Sequence, residues 1–95
     1  MKYRYDKRKP DSNQAQVVEE LTQCGCTVWV ISHCRKALDL IVGYRDVIYW
    51  VELKSDEKAK LTKAEKEILD KFRDNPHVIV GYSTEDILRK MGVMR

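Results

Sequence analysis

Two apolar runs, joined by a short turn and each carrying an acid, constrain this chain most: Asp39-Leu40-Ile41-Val42 and Trp50-Val51-Glu52-Leu53-Lys54. An unpaired carboxylate in a buried strand is costly to desolvate, so an acid kept there needs a partner or a use. Side chains alternate along a strand, which puts Glu52 and Lys54 on one face. A hairpin with its turn around Tyr44 to Asp46 and no bulge sets Asp39 opposite Glu52, where paired Cβ atoms lie roughly 4.5–5.5 Å apart. Two carboxylates and an ammonium then converge. Such a cluster suits a hard divalent cation beside a positioned amine, an arrangement fitted to phosphodiester hydrolysis. Plainer readings compete: Asp39 as a turn cap, and Glu52 with Lys54 as an exposed pair. Glu-x-Lys by itself carries little information.

Ninety-five residues make one domain with a modest core. No apolar run is long enough to span a bilayer and no signal-peptide pattern is present, so a soluble, intracellular protein is expected, cytoplasmic in a bacterium or a phage-infected host. The net charge of +3, from 18 basic and 15 acidic residues, is a weak pointer to nucleic acid. The distribution says more. Lys2, Arg4, Lys7, Arg8 and Lys9 crowd the N-terminus, and Lys58, Lys60 and Lys63 form a second basic segment. Solvated termini and loops account for either cluster alone equally well. Cys24, Cys26 and Cys34 form an odd set without a Cys-x-x-Cys pair, and His33 beside Cys34 lacks zinc-site spacing. They read as reduced, partly buried small hydrophobes.

Residues 1–10 read as a basic N-terminal arm and 11–95 as a single domain. Pro10-Asp11-Ser12 opens a helix, with Asp11 or Ser12 as cap, that runs to about Cys24 and ends at Gly25. Its stripe is Val17, Val18, Leu21 and Cys24. Gln14 shares that inward side, where an amide needs a partner. Strands are expected at Thr27–Ile31, Ala37–Val42, Val47–Leu53 and His77–Tyr82. The second and third are apolar on both faces, as in central strands covered by helices. Trp29, Trp50 and Tyr49 read as core residues rather than base-stacking platforms. Thr62 and Glu65 have capping-box spacing, opening a helix with Ile68, Leu69 and Phe72 inward that stops before Pro76. Strand, helix, strand implies a right-handed crossover, with the fourth strand parallel to the third. Ser83 or Thr84 caps a last helix with Ile87, Leu88 and Met91 inward.

The order α-β-β-β-α-β-α, with Asp39 on the second strand and Glu52-Leu53-Lys54 on the third, resembles the PD-(D/E)XK nuclease superfamily. The fold class expected is α/β, a restriction-endonuclease-like αβββαβ core with a mixed four-stranded sheet flanked by helices. The chain looks most like the small VRR-NUC domains and, more distantly, archaeal-type Holliday junction resolvases, over roughly Asp11 to Gly92. Leu61-Thr62-x-x-Glu65 is similar to the Leu-Ser-Pro-x-Gln segment that opens the next helix in VRR-NUC domains. The departures are Leu38 where the family often has Pro, Gln14 where the first helix usually offers a glutamate, and Glu65 in place of glutamine.

The resemblance implies a site in which Asp39, Glu52 and the Leu53 carbonyl hold Mg²⁺ or Mn²⁺. Lys54 then orients the attacking water or stabilises phosphate charge. Gln14 either holds a metal-bound water or is a core amide capping a helix or loop. DNA contacts are expected from Ser32, Arg35 and Lys36 in the loop before Asp39, from Lys58, Lys60 and Lys63, and from Arg8 and Lys9. The expected activity is that of a metal-dependent, structure-selective endodeoxyribonuclease cutting branched DNA, four-way junctions above all, as a homodimer with no membrane partner. A phage-encoded enzyme fits this reading. One chain covers one scissile phosphate, so symmetric cutting needs two sites related by a twofold axis. The alternative is a non-catalytic DNA-binding module on the same fold, motivated by Gln14 and the basic segments. A sequence-specific restriction-type nuclease ranks last, because the chain is short for a dedicated base-reading region.

Overall fold

The structure, a computed structural model, describes residues 13–34 and 38–94. The elements are α1 (Gln14–Gln23), β1 (Thr27–Val30), β2 (Leu40–Tyr44), β3 (Val47–Leu53), α2 (Lys63–Lys71), β4 (Val78–Gly81) and α3 (Thr84–Lys90). All four strands join one sheet in sequential order. The β1–β2 and β2–β3 pairs are antiparallel and β3–β4 is parallel. This is the mixed four-stranded α/β architecture expected from the pattern.

The hairpin places the acids. Tyr44 pairs with Val47, leaving Arg45 and Asp46 as a two-residue loop with φ of 50° and 71°. Positive φ at both positions is the type I′ geometry whose twist matches the flanking strands. The Arg45 guanidinium sits 5.1 Å from the Tyr44 ring centroid, a cation–π contact beside the turn. The register runs to Leu40–Val51, and the Asp39 carboxylate beyond it reaches the Leu53 N–H beside Glu52. β2 itself begins at Leu40, later than expected, although the Asp39 N–H still donates to the Val51 carbonyl at 3.0 Å.

One face of the sheet carries the core. Leu40, Val42, Val51, Leu53 and Ile79 pack against Val17 and Leu21 of α1 and Ile87, Leu88 and Met91 at α3. Gly25, with φ of 94°, ends α1: its N–H bonds the Thr22 carbonyl and the Cys26 N–H reaches back to Leu21. The N-cap is Asn13. Asp11 and Ser12, the expected caps, lie outside the described residues. The Asn13 amide donates to the Tyr82 carbonyl at 3.1 Å instead of capping its own helix. Gly81 is buried because a Cβ there would overlap the Ile87 side chain, so its absence lets α3 close onto β4.

Three expectations need correction. The second face of β2 and β3 is not covered along its length: Trp29, Ile48 and Trp50 stand exposed. Of the aromatics read as core, only Tyr49 packs there, with its hydroxyl donating to the Met91 carbonyl at 3.2 Å. Phe72 is not inward but exposed at the end of α2. The physical reason is where α2 lies. It meets the sheet over Glu52 and Lys54, so its inner side finds charge first, and Ile68 and Leu69 are only half-buried. Of the cysteines, all free, Cys26 alone is buried while Cys24 and Cys34 are exposed.

Candidate active site

The site lies where β2, β3 and the start of α2 meet. Glu52 is 1% exposed and Lys54 is also buried, an unusual fate for two charged residues. Both follow the alternation of β3, on the face opposite the core. Lys54 is held at both ends. Its N–H donates to the Gly81 carbonyl at 3.0 Å, extending the β3–β4 ladder. Its Nζ lies 2.9 Å from Glu65 Oε1 and 3.4 Å from Glu52 Oε2. Asp39 is held too, because its Oδ2 accepts the Leu53 N–H at 2.7 Å. That bond ties the carboxylate to the strand carrying Glu52.

Sequence reasoning did not place Glu65 in the site. It is the last glutamate of a capping box: the Thr62 hydroxyl accepts the Glu65 N–H at 3.1 Å, and Glu65 Oε1 accepts the Thr62 N–H at 2.8 Å. The same oxygen accepts from Lys54. The helix cap and the candidate catalytic amine therefore share one carboxylate. The available signal was the spacing of Thr62 and Glu65.

The electrostatics divide the carboxyls into different roles. Burial, reinforced by the Asp39 charge and by the neighbouring Glu65 carboxylate, pushes Glu52 up to about 9, and Lys54 only partly opposes this. Burial also raises Glu65, but its hydrogen bonds with Lys54, Thr62 and Glu52 outweigh that and leave it below the ordinary glutamate value. For Lys54, burial works against the ammonium, and the Glu65 and Glu52 contacts overcome it, so its pKa is raised. With no cation present, Glu52 holds a proton at neutral pH while Glu65 and Lys54 form an ion pair.

Two buried oxygens show what this arrangement can take. Glu52 Oε1 and Gln14 Oε1 are without hydrogen-bond partners. Buried polar atoms are nearly always satisfied, and an unpaired carboxylate oxygen beside a second acid has the chemistry to take a hard cation. Among the described residues no three Asp, Glu, His or Cys side chains cluster as a metal site. A cation here would therefore rest on Asp39 and Glu52, neutral oxygens and water, a set that fits Mg²⁺ or Mn²⁺ better than a softer metal. Gln14 opens α1, and its neighbour Asn13 bonds the Tyr82 carbonyl just past Gly81, the partner of Leu53. The start of α1 thus sits at the sheet end that carries Leu53 and Lys54.

The remaining expected residues fall around this end. Ser32 is half-buried in a turn that starts beside Asp39, since the Ile31 N–H donates to the Asp39 carbonyl at 2.8 Å. Lys58, Lys60 and Lys63 are exposed on the segment running from β3 into α2. Arg8, Lys9, Arg35 and Lys36 lie outside the described residues.

A four-stranded mixed sheet, with an aspartate facing a Glu-x-Lys at one end and helices on either side, defines a nuclease-type α/β domain. The comparison with solved structures makes the class narrower. A structure described as a VRR_NUC domain superposes with a TM-score of 0.65 at 28% identity, covering 86% of this chain and 92% of that one. By this likeness the chain is similar in fold to a VRR_NUC domain over most of its length. No protein-family model matches the chain, and no curated protein does. No helix among the described residues is long and apolar enough to cross a membrane.

Proposed function

We propose that the protein is a metal-dependent, structure-selective endodeoxyribonuclease that resolves four-way DNA junctions as a homodimer. The observation that carries this reading is the buried Glu52–Lys54 pair opposite Asp39, with Glu52 Oε1 and Gln14 Oε1 left unpaired. Stability alone gives no reason to bury such a cluster, because an apolar replacement of similar volume is commonly as stable or more so.

Asp39 and Glu52 would hold Mg²⁺ or Mn²⁺, with the Leu53 carbonyl as a further oxygen. When bound, the cation supplies Lewis-acid polarisation of the scissile phosphate and a lowered pKa for a bound water. Glu52 must shed its proton before it can act as a ligand. Gln14 offers its side-chain oxygen to a water proton and so orients the nucleophile without adding charge. Lys54 turns its ammonium from Glu65 to the phosphate, where charge builds up as the bond breaks. Lysine suits this task as a compact charge on a flexible stem. Ser32, Arg35 and Lys36 on one side, and Lys58, Lys60 and Lys63 on the other, would hold backbone phosphates. Arg8 and Lys9 would extend the basic surface.

Gln14 in place of an acid, and the hold of Glu65 on Lys54, favour one competing reading, a DNA-binding module without catalysis. Cleavage of a labelled synthetic four-way junction separates the two, run beside matched duplex and single strand with Mg²⁺, Mn²⁺ or chelator. Paired symmetric nicks that need metal and vanish in Lys54→Ala are expected. Junction binding indifferent to Mg²⁺, with no product from any substrate, selects the binding module.

A further inference from the structure

The second face of the sheet bears an apolar patch that the site does not use. Trp29 pairs with Ile41, Ile41 with Trp50, and Trp50 with Val78, so one apolar row crosses all four strands. Ile48 continues it in the next row, opposite Gly43. The Trp29 ring lies over Gly43, with its Cζ3 3.7 Å from where a Cβ would stand. Trp29 is 50% exposed, Trp50 43% and Ile48 51%, although each belongs to a paired strand. The start of α2 meets one end of this face through the Glu65–Lys54 contact, and Phe72 at its far end is 49% exposed.

We infer that this face is the surface on which two copies of the chain associate, Trp29, Ile48 and Trp50 of each meeting the same residues of the other. The inference deepens the homodimer part of the proposed function and rests on it, but its test reads mass and fluorescence rather than cleavage. Area is the first argument. Large aromatic side chains present roughly 150–250 Å² each, so the exposed portions with Ile48 amount to roughly 300 Å² of apolar surface at most. A standard interface takes about 800 Å² from each partner, a little over half of it non-polar. The patch supplies most of that apolar share, with the rest of the face as its rim. Charge is the second argument. Thr27, Trp29, Ile41, Gly43, Ile48, Trp50, Val78 and Val80 occupy this face, and its charged positions, Asp39, Glu52 and Lys54, gather at one end. A nucleic-acid strand stacked on the tryptophans would meet its first cation only at Lys54, already paired with Glu65 and Glu52 at the end of the face. An identical uncharged face has no such need, and a twofold contact is self-complementary. Trp50 lies two residues before Glu52, so this contact would set the two active sites on one rigid frame.

Both tryptophans of the chain lie on the patch, so intrinsic emission reports its burial directly. Sedimentation equilibrium and tryptophan emission would be followed without DNA across roughly 0.1–100 µM, covering the weak end of affinities for interfaces of this size. Twice the chain mass, with emission moving to the blue as concentration rises, is expected for the native protein. Ile48→Lys, with an unchanged far-ultraviolet circular dichroism spectrum, should run as a monomer with red emission at every concentration. Trp29→Ser is the second variant should Ile48→Lys unfold. A native protein monomeric at the top of the range overturns the inference. So does a dimer that survives both substitutions with emission insensitive to dilution, which would leave the dimeric reading standing on another surface. A blue shift seen only on adding an oligonucleotide also overturns it and assigns the face to DNA.

Discussion

Replacing Glu52 with glutamine should stabilise the metal-free protein while removing its activity. Glu52 is 1% exposed, and burial with the nearby acids raises it from the ordinary 4.5 to about 9. The folded state therefore binds a proton that the unfolded chain releases above pH 4.5. For an acid raised in this way, the contribution to stability is complete below the unfolded value. It is lost as pH climbs toward 9. At pH 8 the gap of roughly 3.5 units, at about 1.4 kcal/mol per unit, sets a ceiling near 5 kcal/mol. Glutamine keeps the shape, stays neutral and can still donate to Glu65, while Lys54 keeps its shorter partner, Glu65, at 2.9 Å. Relaxation of Asp39 and Lys54 around a charged Glu52 recovers part of the ceiling, so a gain on the order of 2 kcal/mol is expected at pH 8. At pH 5 the gain should shrink to less than about 1 kcal/mol. Urea unfolding in chelator, followed by far-ultraviolet circular dichroism at fixed protein concentration, measures both. Equal midpoints at pH 8 would refute the reasoning, and so would a gain of the same size at the two pH values. Adding Mg²⁺ should then raise the native midpoint at pH 8 and leave that of Glu52→Gln unchanged.

Further outcomes are expected at other positions. Gly81→Ala forces a methyl into the buried Ile87 side chain and should cost about 1–3 kcal/mol in urea unfolding, with part returned by adding Ile87→Val. Glu65→Ala removes the cap acceptor and the partner of Lys54 together; junction cleavage should fall at least roughly tenfold and helix stability by ~1 kcal/mol. Glu65→Gln should keep the cap and most of the cleavage, but bring the alkaline limb of the pH–rate profile to lower pH as the Lys54 ammonium loses its anionic partner. Replacing Lys58, Lys60 and Lys63 with alanine should lower the log–log salt slope of junction binding by roughly 0.9 for each phosphate no longer neutralised. The single-turnover rate at saturation should stay unchanged, and a slope equal to that of the native protein would remove these lysines from the DNA surface.

What was legible in the chain divides along physical lines. The approach of Asp39 to Glu52 could be read because a two-residue turn leaves one register, and a one-residue slip would send Leu40, Val42 and Val51 to the wrong face. The Thr62–Glu65 cap could be read because its spacing is local. The role of Glu65 could not, since its contact with Lys54 joins a helix start to a strand end. The exposure of Trp29 and Trp50 was hidden for a different reason. Apolar residues on both faces of a strand show that both faces want covering, but not whether this chain or another copy covers them. The extent of β1 and β2 was overestimated at the loop end, because a run of β-formers does not say where pairing stops.

Lys54 shows how the fold makes a charged site from ordinary parts. Its backbone is fixed by the carbonyl of Gly81, and Gly81 is glycine because Ile87 presses against it. Its ammonium is fixed by Glu65, and Glu65 is fixed by the N–H of Thr62 at the start of α2. Each hold is a local motif, a close helix–strand approach in one case and a capping box in the other, formed whether or not a ligand is present. The destabilising element is confined to Glu52, where burial, the Asp39 charge and an unpaired oxygen meet. A divalent cation held by Asp39 and Glu52 would relieve all three at once, since its charge would stand in for the proton and offset Asp39. Metal affinity and apo-state instability are on this account two measurements of one quantity. Substitutions at Glu52 and Asp39 that weaken cation binding should therefore raise the midpoint of the metal-free protein in proportion, whereas substitutions at Glu65 and Gly81, which build the frame, should lower it.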